Sequence, residues 1–265
     1  MGNHPIGIFD SGVGGLTVVK QMFKKLPSEE IVYLGDTARV PYGTKSPETI
    51  KKYSVENADF LMKFKVKLIV VACNTASSTS LDALREEFNI PIVGVIKPGA
   101  EKAVQITRNN RVGIIGTYTT VKSKAYEKEI RHFSRDVEVV SKACPLFVPL
   151  VEEGWLKEEV TFDIVKKYLK PLRVKKIDTL ILGCTHYPLL KPVISKVMGR
   201  HVKIVDSASS VADEVHNILM ALGKLSEQKK PAHKFFATDA IEHFVRVGEK
   251  FLGTKINRAE RADYV

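Results

Sequence analysis

The sequence predicts an α/β protein of two similar domains, each a mainly parallel sheet flanked by helices. Three observations carry this. Short, apolar, β-rich runs alternate with longer amphipathic stretches along the chain, the pattern of strand–helix–strand units and a parallel sheet covered on both faces. Two pairs of runs resemble each other, residues 5–12 with 111–117 and 68–75 with 179–186. Their offsets, 106 residues from Gly7 to Gly113 and 111 residues from Cys73 to Cys184, are close and keep the same order, as a duplicated unit requires. Parallel strands resemble one another simply by being rich in Val and Ile, so the repeat rests on the cysteine and threonine at the ends of the second pair.

Along the chain, strands are expected at 5–9, 31–34, 68–72, 92–95, 111–115, 137–141, 179–182 and 202–205. Each is bounded by Gly, Pro, Asp or Asn, and each reads as buried on both faces rather than alternating. Helical patterns cover 16–26, 47–64, 77–87, 121–133 and 158–169. Ser46-Pro47-Glu48 is a helix start, with a capping hydroxyl, a proline in the first turn and an acid near the positive helix end.

A chain of 265 residues, 44% hydrophobic and 27% charged, can bury the core of one large or two modest α/β domains. Its net charge of +11 allows an acidic ligand, nucleic acid or a membrane surface as partner. The lysines, among them Lys63, Lys65, Lys67, Lys166, Lys167, Lys170, Lys229 and Lys230, lie scattered through segments with their own apolar pattern. They read as solvated faces, and no arginine stripe with stacking aromatics marks a nucleic-acid surface. Three cysteines, at 73, 144 and 184, are too few for a disulfide scaffold, and residues 1–7 show no secretory leader. The apolar runs fall far short of the roughly 18 residues of a membrane span. A cytosolic protein with free thiols is expected.

Ligands in open α/β sheets bind beyond the carboxyl ends of the strands. The distinctive polar residues stand there: Asp10-Ser11, Asp36-Thr37, Cys73-Asn74-Thr75, Thr117, Cys184-Thr185-His186 and Asp206-Ser207. If two domains face each other, all six tips can line one cleft. Either cysteine alone would pass as a small core residue. As a pair they share a strand end, a threonine close behind, and an expected helix N-terminus whose dipole favours a thiolate. Cys144 lacks this setting. One nucleophile would need one thiol, a redox pair would sit as Cys-x-x-Cys, and Cys73, Cys184 and His186 lack the spacing of a metal site. Inverting a carbon centre does need two proton carriers, one on each face.

The loop Gly12-Val13-Gly14-Gly15 suggests phosphate, but Thr17 stands where a dinucleotide loop has Gly or Ala, and Asp10 at its entrance suits an ammonium group. Pro41-Tyr42-Gly43 is either a plain turn or a hydroxyl and backbone N–H offered to a carboxylate. Glu152 and Glu153 are either solvated loop acids or partners for His186.

The strings at 9–15, 36–43, 72–77 and 183–188 resemble the glutamate racemases, in that family's order and over most of the chain. The resemblance implies two α/β domains facing across an active-site cleft, residues 1–97 with 207–265 forming the first and 98–206 the second. It implies interconversion of L- and D-glutamate without cofactor or metal, Cys73 taking the proton from D-glutamate and Cys184 from L-glutamate. Asp10 and His186 would assist the thiols, with Glu152 behind them. Asp10, Ser11, Tyr42, Gly43, Asn74, Thr75, Thr117, Thr120, Thr185 and His186 would hold the ammonium and carboxylates. It further implies D-glutamate for peptidoglycan, a bacterial cytoplasmic location and a homodimer. An aspartate racemase, or a binding protein of the same fold that no longer racemises, are the alternatives. An effect on DNA gyrase, described for some family members, has no specifying feature here.

Overall fold

The computed structural model describes residues 3–263; residues 1, 2, 264 and 265, which fall within the leader reading and the outer limits of the first expected domain, lie outside it. The strands are β1 (Ile6–Asp10), β2 (Ile31–Gly35), β3 (Leu68–Val71), β4 (Ile92–Gly94), β5 (Arg111–Gly116), β6 (Glu138–Ala143), β7 (Thr179–Gly183), β8 (Lys203–Asp206), β9 (Lys234–Ala237) and β10 (Glu260–Arg261). The helices are α1 (Leu16–Lys25), α2 (Pro47–Met62), α3 (Asn74–Ser77), α4 (Leu81–Glu87), α5 (Ile96–Ile106), α6 (Tyr118–Ser123), α7 (Ala125–Phe133), α8 (Phe147–Glu152), α9 (Glu159–Val174), α10 (Lys191–Met198), α11 (Ser207–Ala221) and α12 (Ile241–Leu252).

Two sheets form, in the orders β10-β9-β2-β1-β3-β4 and β6-β5-β7-β8, and every pairing is parallel. The order β2-β1-β3-β4 recurs as β6-β5-β7-β8, so β1 corresponds to β5 and β3 to β7. Gly7 and Gly113 play one role in the two copies. A Cβ at Gly7 would strike Leu61 and Val66, and one at Gly113 would strike Leu172 and Ile177. In each copy one obstructing residue, Leu61 or Leu172, lies on the helix that leads into the cysteine-bearing strand and the other, Val66 or Ile177, on the link between them, and only a glycine lets them lie so close to the central strand.

Alternate strand residues feed opposite faces of each sheet. Ile6, Ile8, Tyr33, Leu68 and Val70 pack with α1, α11 and α12, while Phe9, Val32, Leu34, Ile69 and Val71 pack with α2 and α4. In the second sheet Val112, Ile114, Ile181 and Val205 face α5 and α7. Leu180 and Leu182 face α8, α9 and α10. Helix α5, which follows β4 of the first sheet, packs on β7 and β8 of the second, and α11, which follows β8, packs on α1 and β4 of the first. The two units are thus clamped by exchanged helices.

Departures from expectation have local causes. The helix expected at 77–87 is two, α3 and α4, separated at Ser78-Thr79-Ser80, where side-chain hydroxyls bond back to Thr75 and Ala76 carbonyls. The helix expected at 121–133 starts earlier and breaks at Lys124, whose φ of 55° is left-handed. β6 and β8 are not buried on both faces, because they are the edges of a four-stranded sheet. β9 and β10, absent from the expected strands, extend the first sheet.

Lys67, read from sequence as one of the solvated lysines, is buried. Its Nζ lies 2.6 Å from Glu29 Oε2 and donates to the Lys224 carbonyl at 2.8 Å. Glu29 Oε1 accepts from the Ser226 N–H at 2.8 Å. This pair ties the chain approaching β9 to the amino ends of β2 and β3. Lys67→Met strands a buried carboxylate, and urea unfolding is expected to show a loss of about 3–5 kcal/mol. An unchanged midpoint would mean that the carboxylate reaches water once its partner is gone.

Candidate active site

A cavity of about 340 Å³ opens at the carboxyl ends of both sheets, a size suited to one small ligand. Cys73 follows β3 and Cys184 follows the equivalent β7, and both line it. Ser11, Tyr42, Gly43, Asn74, Thr75, Thr117, Thr185, His186 and Glu152 also line it. Asp10 and Thr120 do not: each is buried behind a lining residue.

Of the six strand tips, four reach the cavity. The Asp36 tip instead anchors the loop above it: Asp36 Oδ2 accepts from the Tyr42 hydroxyl and from Arg39 Nε, and Oδ1 accepts from the Thr238 hydroxyl at 3.1 Å. Asn57 Nδ2 donates to the same Tyr42 oxygen at 3.1 Å. The Tyr42 hydroxyl is therefore committed to the protein, and what this loop can offer a ligand is ring and backbone. The Asp206 tip caps α11, its carboxylate accepting from the Ala208 N–H at 3.0 Å.

Around Cys73, the thiol lies 3.7 Å from Ser11 Oγ, and the Ala76 N–H donates to its sulfur at 3.5 Å. The expectation that a helix N-terminus would favour its thiolate is corrected here. The helix is four residues long, and burial, then the Asp10 charge, pushes the thiol up to about 12. Asp10 accepts from the Gly12 N–H at 3.0 Å and from Thr185 Oγ1 at 3.4 Å. Burial raises its carboxyl above the ordinary value, against the His186 charge and these hydrogen bonds.

Around Cys184 the expected helix N-terminus is absent; the chain runs instead into a short 3-10 turn, Tyr187–Leu190. Positive charge comes from a side chain. His186 Nδ1 lies 3.9 Å from Cys184 Sγ, and its Nε2 lies 2.9 Å from Glu152 Oε1. Burial alone would lower the imidazole, but the hydrogen bonds and charges of Cys184 and Glu152 outweigh it and set it at about 10. Burial opposes the ionised Glu152, yet the hydrogen bond and charge of His186 hold it below its ordinary value. The first sheet supports this wall from behind, with the Phe251 ring edge-on to His186 at 5.2 Å.

Both walls are sewn together across the cleft. Thr75 Oγ1 lies 3.0 Å from Thr117 Oγ1 and 3.3 Å from Thr120 Oγ1, and Thr119 Oγ1 donates to the Gly43 carbonyl at 2.9 Å. Thr17 Oγ1 lies 3.3 Å from the Thr185 carbonyl. Gly14 is needed for this closeness rather than for a ligand: a Cβ there would fall 2.3 Å from Thr185 Oγ1 and 2.5 Å from His186 Nδ1. Pro145, Val148 and Pro149 give the cavity an apolar wall that no sequence motif marked; its one signal was its place after a strand tip. Cys144, set aside from sequence, is buried beside them, with its carbonyl accepting from the Tyr187 hydroxyl at 2.9 Å. Among the described residues no group of three or more His, Cys, Asp or Glu is arranged to hold a metal ion, and no helix is long and apolar enough to cross a membrane.

Two parallel α/β units that set one thiol each into a shared cavity define a class. Residues 6–215 match the model of the Asp/Glu/Hydantoin racemase family, and the chain belongs to that family of isomerases. Within it the chain groups with the glutamate racemases. It is 55% identical over 254 residues to the glutamate racemase of Geobacter metallireducens, covering 95% of this chain and 93% of that one. The crystal structure of a glutamate racemase isoform from Bacillus anthracis superposes with a TM-score of 0.96 at 41% identity, covering 99% and 98% of the two chains. That of the Francisella tularensis glutamate racemase in complex with D-glutamate gives 0.94 at 40% identity, covering 100% and 99%.

Proposed function

We propose that this chain interconverts L- and D-glutamate by a two-thiol mechanism that uses no cofactor. The observation that carries it is the pair Cys73 and Cys184 on one cavity, from equivalent strands of two repeated units. The thiolate of one cysteine removes the α-proton; the thiol of the other delivers a proton to the opposite face. Cys73 takes the proton from D-glutamate and Cys184 from L-glutamate, and each turnover exchanges the protonation states of the two sulfurs. Asp10 backs Cys73, and His186 with Glu152 backs Cys184. The negative charge developing beside the carboxylate is met by donors preorganised between the two units: Ser11, Asn74, Thr75, Thr117 and Thr185, with the Gly43 backbone and Thr120 behind.

The sheet memberships support a division into 1–97 with 207–265 and 98–206. The chemistry fits a cytoplasmic enzyme, acting as a homodimer, that supplies D-glutamate for peptidoglycan. Proton NMR of each glutamate enantiomer with the purified protein in deuterium oxide tests the activity. Loss of the α-proton signal with appearance of the other enantiomer is expected. Faster exchange on aspartate would replace the substrate, and binding without exchange would leave a non-catalytic protein of this fold.

A further inference from the structure

Asn74 carries a polar atom that the protein does not satisfy. Asn74 lines the cavity and is 3% exposed, and its Nδ2 is buried without a hydrogen-bond partner among the described residues. The other end of the same amide is held: the Tyr126 hydroxyl donates to Asn74 Oδ1 at 2.7 Å. Tyr126 belongs to α7 of the second unit and Asn74 to α3 of the first, so the bond crosses between the units. The tyrosine is wedged in place. A Cβ at Gly99 would meet its Cε1 at 3.3 Å and one at Gly183 its Cε2 at 3.1 Å, so two glycines leave the slot its ring fills. Ser207, the residue at the sixth strand tip, crowds the same glycine: a Cβ at Gly99 would also meet its Cβ at 3.2 Å.

We infer that Tyr126, which does not line the cavity, is a positioning residue that fixes which end of the Asn74 amide meets the substrate. The inference rests on the glutamate reading above. An amide presents a donor at one end and an acceptor at the other, and a half-turn about its last bond exchanges them. A carboxylate needs the donor. The Tyr126 hydroxyl donates to Asn74 Oδ1, so Nδ2 remains as the donor for a carboxylate oxygen.

A double-mutant cycle between Tyr126→Phe and Asn74→Ala tests this, reading KM and kcat for both glutamate enantiomers. Tyr126→Phe is expected to raise KM by about 10-fold, the size of a misdirected hydrogen bond to a charged group, with kcat changed far less. In the Asn74→Ala background the same substitution is expected to change neither, because the amide it orients is gone. Asn74→Asp, which keeps an acceptor for Tyr126 and removes the donor, serves if Tyr126→Phe does not fold; it is expected to raise KM at least as far, and an unchanged KM would overturn the assignment. Equal losses in both backgrounds, or no loss with Asn74 present, would overturn the assignment. A wild-type protein that exchanges neither enantiomer would instead overturn the glutamate reading, and this one with it.

Discussion

Cys73→Ser and Cys184→Ser are each expected to lower racemisation by about 1000-fold or more, because a serine hydroxyl is a far weaker base than a thiolate and each sulfur serves a face the other cannot reach. The variants should fail differently. With Cys184 intact, Cys73→Ser should still wash deuterium into L-glutamate without inverting it, since a single thiol can remove and return a proton on its own face. Cys184→Ser should do the same for D-glutamate. Both sulfurs are buried and the replacement is slightly smaller, so the fold should persist. Near wild-type racemisation by both variants, or washout from the opposite enantiomer in each, would refute the assignment of faces.

His186→Asn is expected to lower kcat/KM by about 100-fold, the scale of a lost charge at an acid/base group. The loss must be equal in both directions, because free L- and D-glutamate have equal energy. KM and kcat taken separately carry the asymmetry. With Cys73 pushed up to about 12 and His186 at about 10, the resting protein at neutral pH holds a thiol at Cys73 and an imidazolium beside Cys184. That form supplies the protonated Cys73 that L-glutamate needs as its acid. The form ready for D-glutamate is a minor one, so D-glutamate should show the higher KM and a proportionately higher kcat. His186→Asn should narrow that gap, and initial rates by polarimetry from each enantiomer will show it. An unchanged kcat/KM or a wider gap would remove His186 from the mechanism.

The same imidazole sets a pH dependence. Its value is raised from 6.5 to about 10, so its contribution to stability is complete below about pH 6.5 and is lost as pH rises through about 10. Wild-type kcat/KM should fall over the upper part of that range, and the asparagine variant should lack the fall.

The strand–helix alternation, the repeat and the two thiols were legible because each follows from local pattern: a parallel strand announces itself as an apolar run, and its carboxyl end by the polar residues that follow. What was illegible depended on partners distant in the chain. Nothing in Asp36-Thr37 shows that Tyr42, Arg39 and Thr238 converge on its carboxylate and withdraw it from the cleft. The helix dipole promised a thiolate at Cys73, but burial and Asp10 outweigh a four-residue helix. Lys67 looks like its solvated neighbours because Glu29 and Lys224 meet it only in the fold. β9 is recruited by the open side of β2 and β10 by β9, pairings between distant parts of the chain that no local run announces.

The outer strands of the first sheet have a consequence for biosynthesis. The four strands of the second sheet lie in one stretch, residues 111–206, and can pair as soon as that stretch has left the ribosome. β2, made much earlier, must wait for β9 at residues 234–237, and α12 covers the sheet only after that. Through most of translation the nascent chain therefore carries a bare strand edge, the kind of surface that recruits other chains. Polypeptides halted short of β9 are expected to be the aggregation-prone species of this protein, and the arrival of β9 and α12 to be what ends that risk.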